Sequence, residues 1–238
     1  MRIETITMVY NEEFLLPFYL PHYAWTDCMN ILFDTDSDDR SLEIIEEWHR
    51  NPGKINLFPF TFPDGLDDLI KVQHFNEAYK NVDCDMVILG DCDEFLFADR
   101  GKIEGLPDYP AFLAISGYVY RHPSEADLDP MKPVKEQRRH GLINYGGVKV
   151  MVAQAGKGVE WKPGNHNCNI KPMENCDLIF AHWSMADLCF CIKRRIQGRR
   201  DRMSKVNVEQ RMGYHLQNIT EQDVINECRQ YENSGRIW

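Results

Sequence analysis
Short apolar runs alternate with helix-spaced stretches over the first hundred positions of the chain. "IETITMVY" (3–10), "MNILF" (29–33), "KINLFPF" (54–60) and "DMVILG" (85–90) are rich in β-branched or aromatic residues and read as strands. Between them, "EEFLLPFYLPHYAW" (12–25) has helical apolar spacing, with Pro17 and Pro21 expected in a first turn or at a kink. "SLEIIEEW" (41–48) opens a helix on a Ser cap with acids in its first turns, and "LDDLIKVQHFNEAYKN" (66–81) is an amphipathic helix. This βαβαβαβ order predicts an α/β fold with a mainly parallel central sheet and right-handed crossovers.

After residue 100 the pattern changes. "AFLAISGYVYRH" (111–122) alternates like a strand, and a polar, Pro-containing loop runs to about residue 145. "GGVKVMVAQ" (146–154) and "DLIFAHW" (177–183) read as further strands, with "KPGNHNCNIKP" (162–172) as a loop between them. From Ser184 onward the spacing is helical. Without repeats or a low-complexity linker, 1–238 reads as one domain with an α/β front half (1–100), a mixed second half (101–183) and a helical C-terminal segment (184–238).

Charge qualifies this picture. A net charge of −10 excludes a general nucleic-acid binder. Against that balance, "IKRRIQGRRDRMSK" (192–205) gathers seven Lys and Arg residues. By default it is a solvated helical face, but Lys193 and Arg194 could lean over a diphosphate, and the later arginines could touch an anionic acceptor or offer a peripheral membrane contact. "MRIETITMVYNEE" has no apolar signal core, and no run reaches the roughly 20 residues of a membrane span, so the expectation is a cytoplasmic protein. The eight cysteines form no C-x-x-C pair and are expected to be reduced thiols rather than a zinc site or a disulfide framework.

In a parallel α/β sheet, ligands bind beyond the carboxyl ends of the strands. Each acid cluster of the first half falls at such an end: Asn11–Glu12, then "DTDSDDRS" (34–41), then Asp91, Asp93 and Glu94 within "VILGDCDEFLF" (87–97). Two carboxylates at i and i+2 can face one Mg²⁺ or Mn²⁺, or can form a solvated turn. "DTDSDDRS" can cap the next helix or accept hydrogen bonds from a base or ribose. His166 ("PGNHN") and His182 ("FAHWS") can be structural, and His182 could instead complete a carboxylate–carboxylate–histidine metal site from the opposite wall.

Taken in order, "MVYNEE", "FDTDSDDRS", "IKVQHFNEAYKN", "VILGDCDEFLF" and "HW" followed by "IKRRIQG" resemble the family 2-like glycosyltransferases of the GT-A fold, in the branch with a D-x-D-E-F motif and a late His–aromatic pair. The resemblance spans residues 3–100 well and 145–200 loosely. It implies a GT-A domain that transfers a sugar from a nucleotide-diphosphate donor, UDP-sugar favoured, to a glycan or lipid-linked glycan acceptor, with inversion and with Mn²⁺ or Mg²⁺ as cofactor. It places Asn11, Glu12 and Asp34 at the nucleoside, with Ser37 and Asp39 at the donor or supporting the loop. Lys71 and Asn76 fall beside the diphosphate. Asp91, Asp93 and His182 become the metal ligands, with Asp91 also set toward the ribose, and "YGGVKV" (145–150) lines the sugar and acceptor site. For the base, Glu94 and His166 lead, with Glu160 and Asp187 behind them. The chain departs from the commoner family pattern in "DTDSDD", in lacking an evident Glu–Asp pair between 145 and 180, and in lacking a Q-x-x-R-W segment. Two rival readings are a nucleotidyltransferase acting on sugar phosphates, which should carry a Gly-rich phosphate loop, and a non-catalytic sugar-nucleotide or carbohydrate-binding module.

Overall fold
The computed structural model describes residues 1–49, 54–174 and 176–237. Strand β1 (Ile3–Val9) is followed by helix α1 (Leu16–His22), β2 (Cys28–Asp34), α2 (Ser41–His49), β3 (Ile55–Phe60), α3 (Asp68–Asn81) and β4 (Met86–Leu89). β5 (Glu94–Leu96), α4 (Arg100–Glu104), β6 (Ala111–Tyr120), α5 (Val134–Gln137), β7 (Gly141–Gln154) and β8 (Ile179–Met185) complete the sheet. The remainder is helical: α6 (Leu188–Lys193), a π-turn (Arg194–Arg199), a 3₁₀ turn (Arg200–Arg202), α7 (Lys205–Glu209), α8 (Tyr214–Gln217) and α9 (Glu221–Tyr231).

The result is a mixed α/β fold around one eight-stranded sheet in the order β3-β2-β1-β4-β7-β6-β8-β5. β1 to β4 are mutually parallel, as their uninterrupted apolar runs require, because a sheet covered on both faces buries every side chain. Every residue of β1, β2 and β4 is buried. β7 runs antiparallel to β4 and β6, β8 is parallel to β6, and β5 is antiparallel to β8.

Several boundaries differ from the sequence reading for local reasons. Residues 12–25 give only a seven-residue helix, with Pro17 in its first turn, where no N–H is needed, and Pro21 near its end. Ser41 does not cap α2: its Oγ accepts from the Glu12 N–H (2.8 Å), and Asp39 Oδ1 takes the Ser41 N–H (2.9 Å). β7 begins at Gly141, inside the expected loop, because its pairing with β6 jumps from Ile115–Val148 to Ser116–Asn144 and bulges Tyr145–Gly147 out of the ladder. β8 runs through Ser184 and Met185 before the helical segment starts. Among the described residues, no helix is long and apolar enough to cross a membrane.

Candidate functional site
Strand directions bring the chemistry to one edge. The carboxyl ends of β1, β2 and β4 deliver Glu12, Asp34 and Asp91. Because β7 is antiparallel to β4, Lys149, three residues before the first β4-paired residue Val152, rises beside Asp91 at that same edge. β5 starts there, and its register sets Glu94 opposite His182 on β8. Between these elements lies a cavity of about 360 Å³, whose walls carry the D-x-D-E acids, Lys71, Lys149, His166, His182, Arg194 and Arg199. A smaller recess of about 60 Å³ opens beside it between Tyr10, Phe62, Leu66 and Arg202.

Buried carboxylates must be compensated, and here side-chain cations supply much of that compensation. Asp91 Oδ1 binds Lys71 Nζ at 2.5 Å, while Oδ2 faces Arg199 (3.4 Å) and Lys149 (4.0 Å). Burial alone would raise the Asp91 carboxyl, but these three cations hold it well below the usual carboxylate range. Asp93 Oδ2 meets Arg194 Nη1 at 2.7 Å and His182 Nε2 at 2.9 Å, and the same contest leaves it strongly lowered. Glu94 is 1% exposed; its carboxylate pairs with Lys149 Nζ, and Oε2 also accepts from the Asp91 N–H at 3.2 Å. Burial lowers the Lys149 ammonium, yet Glu94 and Asp91 outweigh it and the net shift is upward. Glu12 Oε1 accepts from Arg194 Nε (3.1 Å) and Nη2 (2.8 Å), whereas its buried Oε2 has no hydrogen-bond partner among the described residues. Asp34, fully buried, is held by Arg202 Nη2 at 2.8 Å, and the Arg202 guanidinium stacks 3.4 Å from the Tyr10 ring centroid.

The basic stretch is therefore not a solvated face. Arg194, Arg199 and Arg202 turn inward onto acids of the cleft, and Arg195 pairs with Glu227 at 2.6 Å. An α-helix would set residues five apart about 140° from each other, but the i→i+5 turn over 194–199 brings Arg194 and Arg199 to the same side. The strap is pinned at its far end. Leu66 N donates to Arg202 O (2.6 Å), Ser204 N donates to Leu66 O (2.9 Å), and Ser204 Oγ donates to Asp67, the N-cap of α3 (3.1 Å). Gly65 makes this approach possible: it has φ +87°, and a Cβ there would lie 2.3 Å from Arg202 O. Gly65→Ala is expected to cost on the order of 2–4 kcal/mol, measured by denaturant unfolding, because it meets both the strain and the clash.

The other predicted residues take distinct places. Asn11, at φ 51°, links the β1 and β2 loops: its Nδ2 donates to Asp38 (2.6 Å) and its Oδ1 accepts from Asp38 N (2.9 Å). Ser37 and Asp39 brace the same loops by accepting from the N–H groups of Asn11 (3.3 Å) and Glu13 (3.0 Å). Asn76 spends its amide on the Trp161 backbone (3.1 and 2.8 Å) and ties α3 to the loop before the 3₁₀ turn Pro163–Asn165 rather than facing the cavity. Lys193 lies outside both the cavity and the recess, half-exposed and paired with Glu13 at 3.4 Å. Glu160 pairs with Lys80 on the surface, and Asp187 caps α6. His166 does face the cavity. Its Nδ1 lies 2.8 Å from the Val148 carbonyl oxygen, which can only accept, so Nδ1 carries the proton and Nε2 of the neutral ring keeps its lone pair.

Metal-ligating atoms do converge, in a set different from the expected Asp91, Asp93 and His182. Those of Asp93, Glu94 and His182 lie within 4.8 Å of one another, whereas Asp91 has both oxygens turned to cations. Two carboxylates and an imidazole fit a hard-to-intermediate divalent ion such as Mn²⁺.

Glu12 carries a pH signature. Burial, opposed by Arg194, pushes its carboxyl up to about 7. A folded value above the unfolded one gives a contribution that is full below about pH 4 and declines as pH rises toward 7. His22, lowered by burial to about 4, changes in the opposite sense but is common to wild type and variant. Denaturant unfolding should therefore show Glu12→Gln gaining roughly 3 kcal/mol relative to wild type between pH 4 and pH 8.

No protein-family model and no curated protein matches the sequence. Among solved structures, the chain is similar to S. aureus TarS 1–349, at a TM-score of 0.36 and 17% identity over 54% of this chain and 38% of that one. The same protein in complex with UDP-GlcNAc gives 0.36 and 17% over 54% and 37%. Glucosyl-3-phosphoglycerate synthase from Mycobacterium tuberculosis, in complex with Mn²⁺, UDP and phosphoglyceric acid, gives 0.35 and 13% over 49% and 43%. The chain thus spans less than half the length of each, and likenesses of this size identify neither family nor substrate.

Proposed function
We propose that the chain is a divalent-cation-dependent glycosyltransferase of GT-A type that moves a sugar from a UDP-sugar to a hydroxyl of a glycan or lipid-linked glycan, with inversion. The observation that carries this reading is the meeting of Asp91, Asp93 and Glu94 with a Lys/Arg set, His166 and His182 in one cavity at the ligand-binding edge of a parallel sheet, with Glu12 in the adjoining recess. Tyr10 and Phe62 wall a recess suited to a base, beside Glu12 and Arg202, the partner of Asp34. Lys71, Arg194 and Arg199 stand where they can take charge from a departing diphosphate. A cation held by Asp93, Glu94 and His182 would supply Lewis acidity toward the diphosphate oxygens.

His166 is the base in this reading, and Glu94 is not. Glu94 is buried beside Lys149 and its carboxylate belongs to the Asp93–Glu94–His182 set, so it faces cations rather than an acceptor hydroxyl. The lone pair of His166 Nε2 is left available at the cavity wall by the Val148 contact, and it can take the proton of the acceptor hydroxyl as that oxygen attacks the sugar. Hydrolysis of UDP-, GDP- and dTDP-sugars with Mn²⁺ present tests the assignment. Release of UDP with free sugar supports it; release of pyrophosphate from a nucleoside triphosphate and a sugar phosphate would mark a nucleotidyltransferase instead.

A further inference from the structure
Three arginines from nine consecutive residues occupy three acidic strand ends. Arg194 joins Glu12, after β1, to Asp93; Arg199 reaches Asp91; Arg202 covers Asp34 at the end of β2. These carboxylates are the ones the donor reading gives to nucleoside, ribose and cation. The conflict is sharpest at Asp93, where Oδ2 is shared between His182 Nε2 (2.9 Å) and Arg194 Nη1 (2.7 Å). A fixed guanidinium at bonding distance from a ligand carboxylate repels an incoming dication and occupies one of its donor atoms. Glu12 Oε2, buried and without a hydrogen-bond partner among the described residues, shows that this packing leaves acceptor capacity unused on the donor side.

We propose that the strap 194–202 is an internal counter-ion that fills the donor site of the free chain, and that a nucleoside diphosphate admits the divalent cation by drawing Arg194 and Arg199 off the carboxylates onto its own phosphates. The proposal rests on the donor reading above. Guanidinium pairs with phosphate as well as with carboxylate, through the same two-point hydrogen bonding, so the exchange trades like for like. A buried carboxylate stripped of its arginine is left uncompensated, so cation entry and arginine transfer support each other. The strap has room to adjust, since a Cβ added at Gly198 would meet nothing within 4 Å, while its 202–204 end stays pinned to residue 66.

The test is Mn²⁺ binding without nucleotide, followed by the electron paramagnetic resonance signal of free Mn²⁺. Arg194→Met should bind Mn²⁺ about tenfold or more tightly than wild type, which corresponds to about 1.4 kcal/mol. Arg199→Gln should shift affinity in the same direction by less, and Arg194→Lys should stay near wild type. If Arg194→Met does not fold, Arg199→Gln decides, because Asp91 keeps Lys71 and Lys149 as partners. Unchanged or weaker Mn²⁺ affinity in the folded variants overturns the counter-ion. Failure of the wild type to bind UDP with Mn²⁺ present overturns the donor reading as well, whereas intact UDP binding alongside unchanged Mn²⁺ affinity overturns only the counter-ion.

Discussion

Lys149→Met is expected to cost about 3–5 kcal/mol of folding stability at neutral pH. The lysine is 8% exposed on β7, and its ammonium is the salt-bridge partner of the fully buried Glu94 carboxylate while also standing 4.0 Å from Asp91. Methionine preserves the volume but leaves a buried carboxylate without a counter-charge. Adding Glu94→Gln should restore most of the loss, because the double variant has no orphaned charge. Denaturant unfolding of the two single variants and the double variant reads this directly. Additive losses would show that Lys149 and Glu94 stabilise the fold independently. Because the ammonium is raised overall, its contribution is fully present below the ordinary lysine range near pH 10 and is lost only above it, so measurements at pH 7 and 8 should agree.

His166→Gln is expected to lower kcat by a factor of about 10²–10⁴ while leaving the donor KM within about twofold. The side chain touches the Val148 carbonyl and the cavity, and it pairs with none of the buried acids, so its loss should spare both the fold and the cation site. Gly164, at φ +80°, lets the ring pack against the 163–165 turn, where a Cβ would stand 3.0 Å from His166 Cδ2. Glu94→Gln should behave differently, registering in stability and cation affinity, since its carboxylate faces Lys149 and the Asp93–His182 pair. A His166 variant with near-normal kcat would return the search for the base to the remaining cavity residues.

Much of the parallel half is legible in the sequence because buried parallel strands read as unbroken apolar runs, and their carboxyl ends locate the acid clusters without further information. The limits of that reading are equally physical. β5 is three residues long and follows the acids directly, so no periodicity announces it. The start of β7 hides behind "YGG" (145–147), a bulge whose residues pair with nothing in the ladder. Lys149 left a signal that was available: a single cation inside "VKVMVA", a run otherwise fit for a strand interior, calls for a buried acidic partner. The arginines of 192–205 left none. A charge run is ordinarily solvated, and only the path of the chain across the cleft, set by the π-turn and the Gly65 contact, turns it inward. The D-x-D-E cluster illustrates the same division: its position was readable from the strand that precedes it, whereas the exchange of Asp91 for Glu94 in the converging set depends on Lys71, which comes from α3.

The central claim is that Asp93, Glu94 and His182 hold a cation through which a nucleoside diphosphate is bound. Calorimetric titration of UDP tests it most directly, with Mn²⁺ present and again after EDTA. The expected result is binding with Mn²⁺ that is lost on chelation and lost in Asp93→Ala. Equal UDP affinity with Mn²⁺, with EDTA and in Asp93→Ala would contradict the claim.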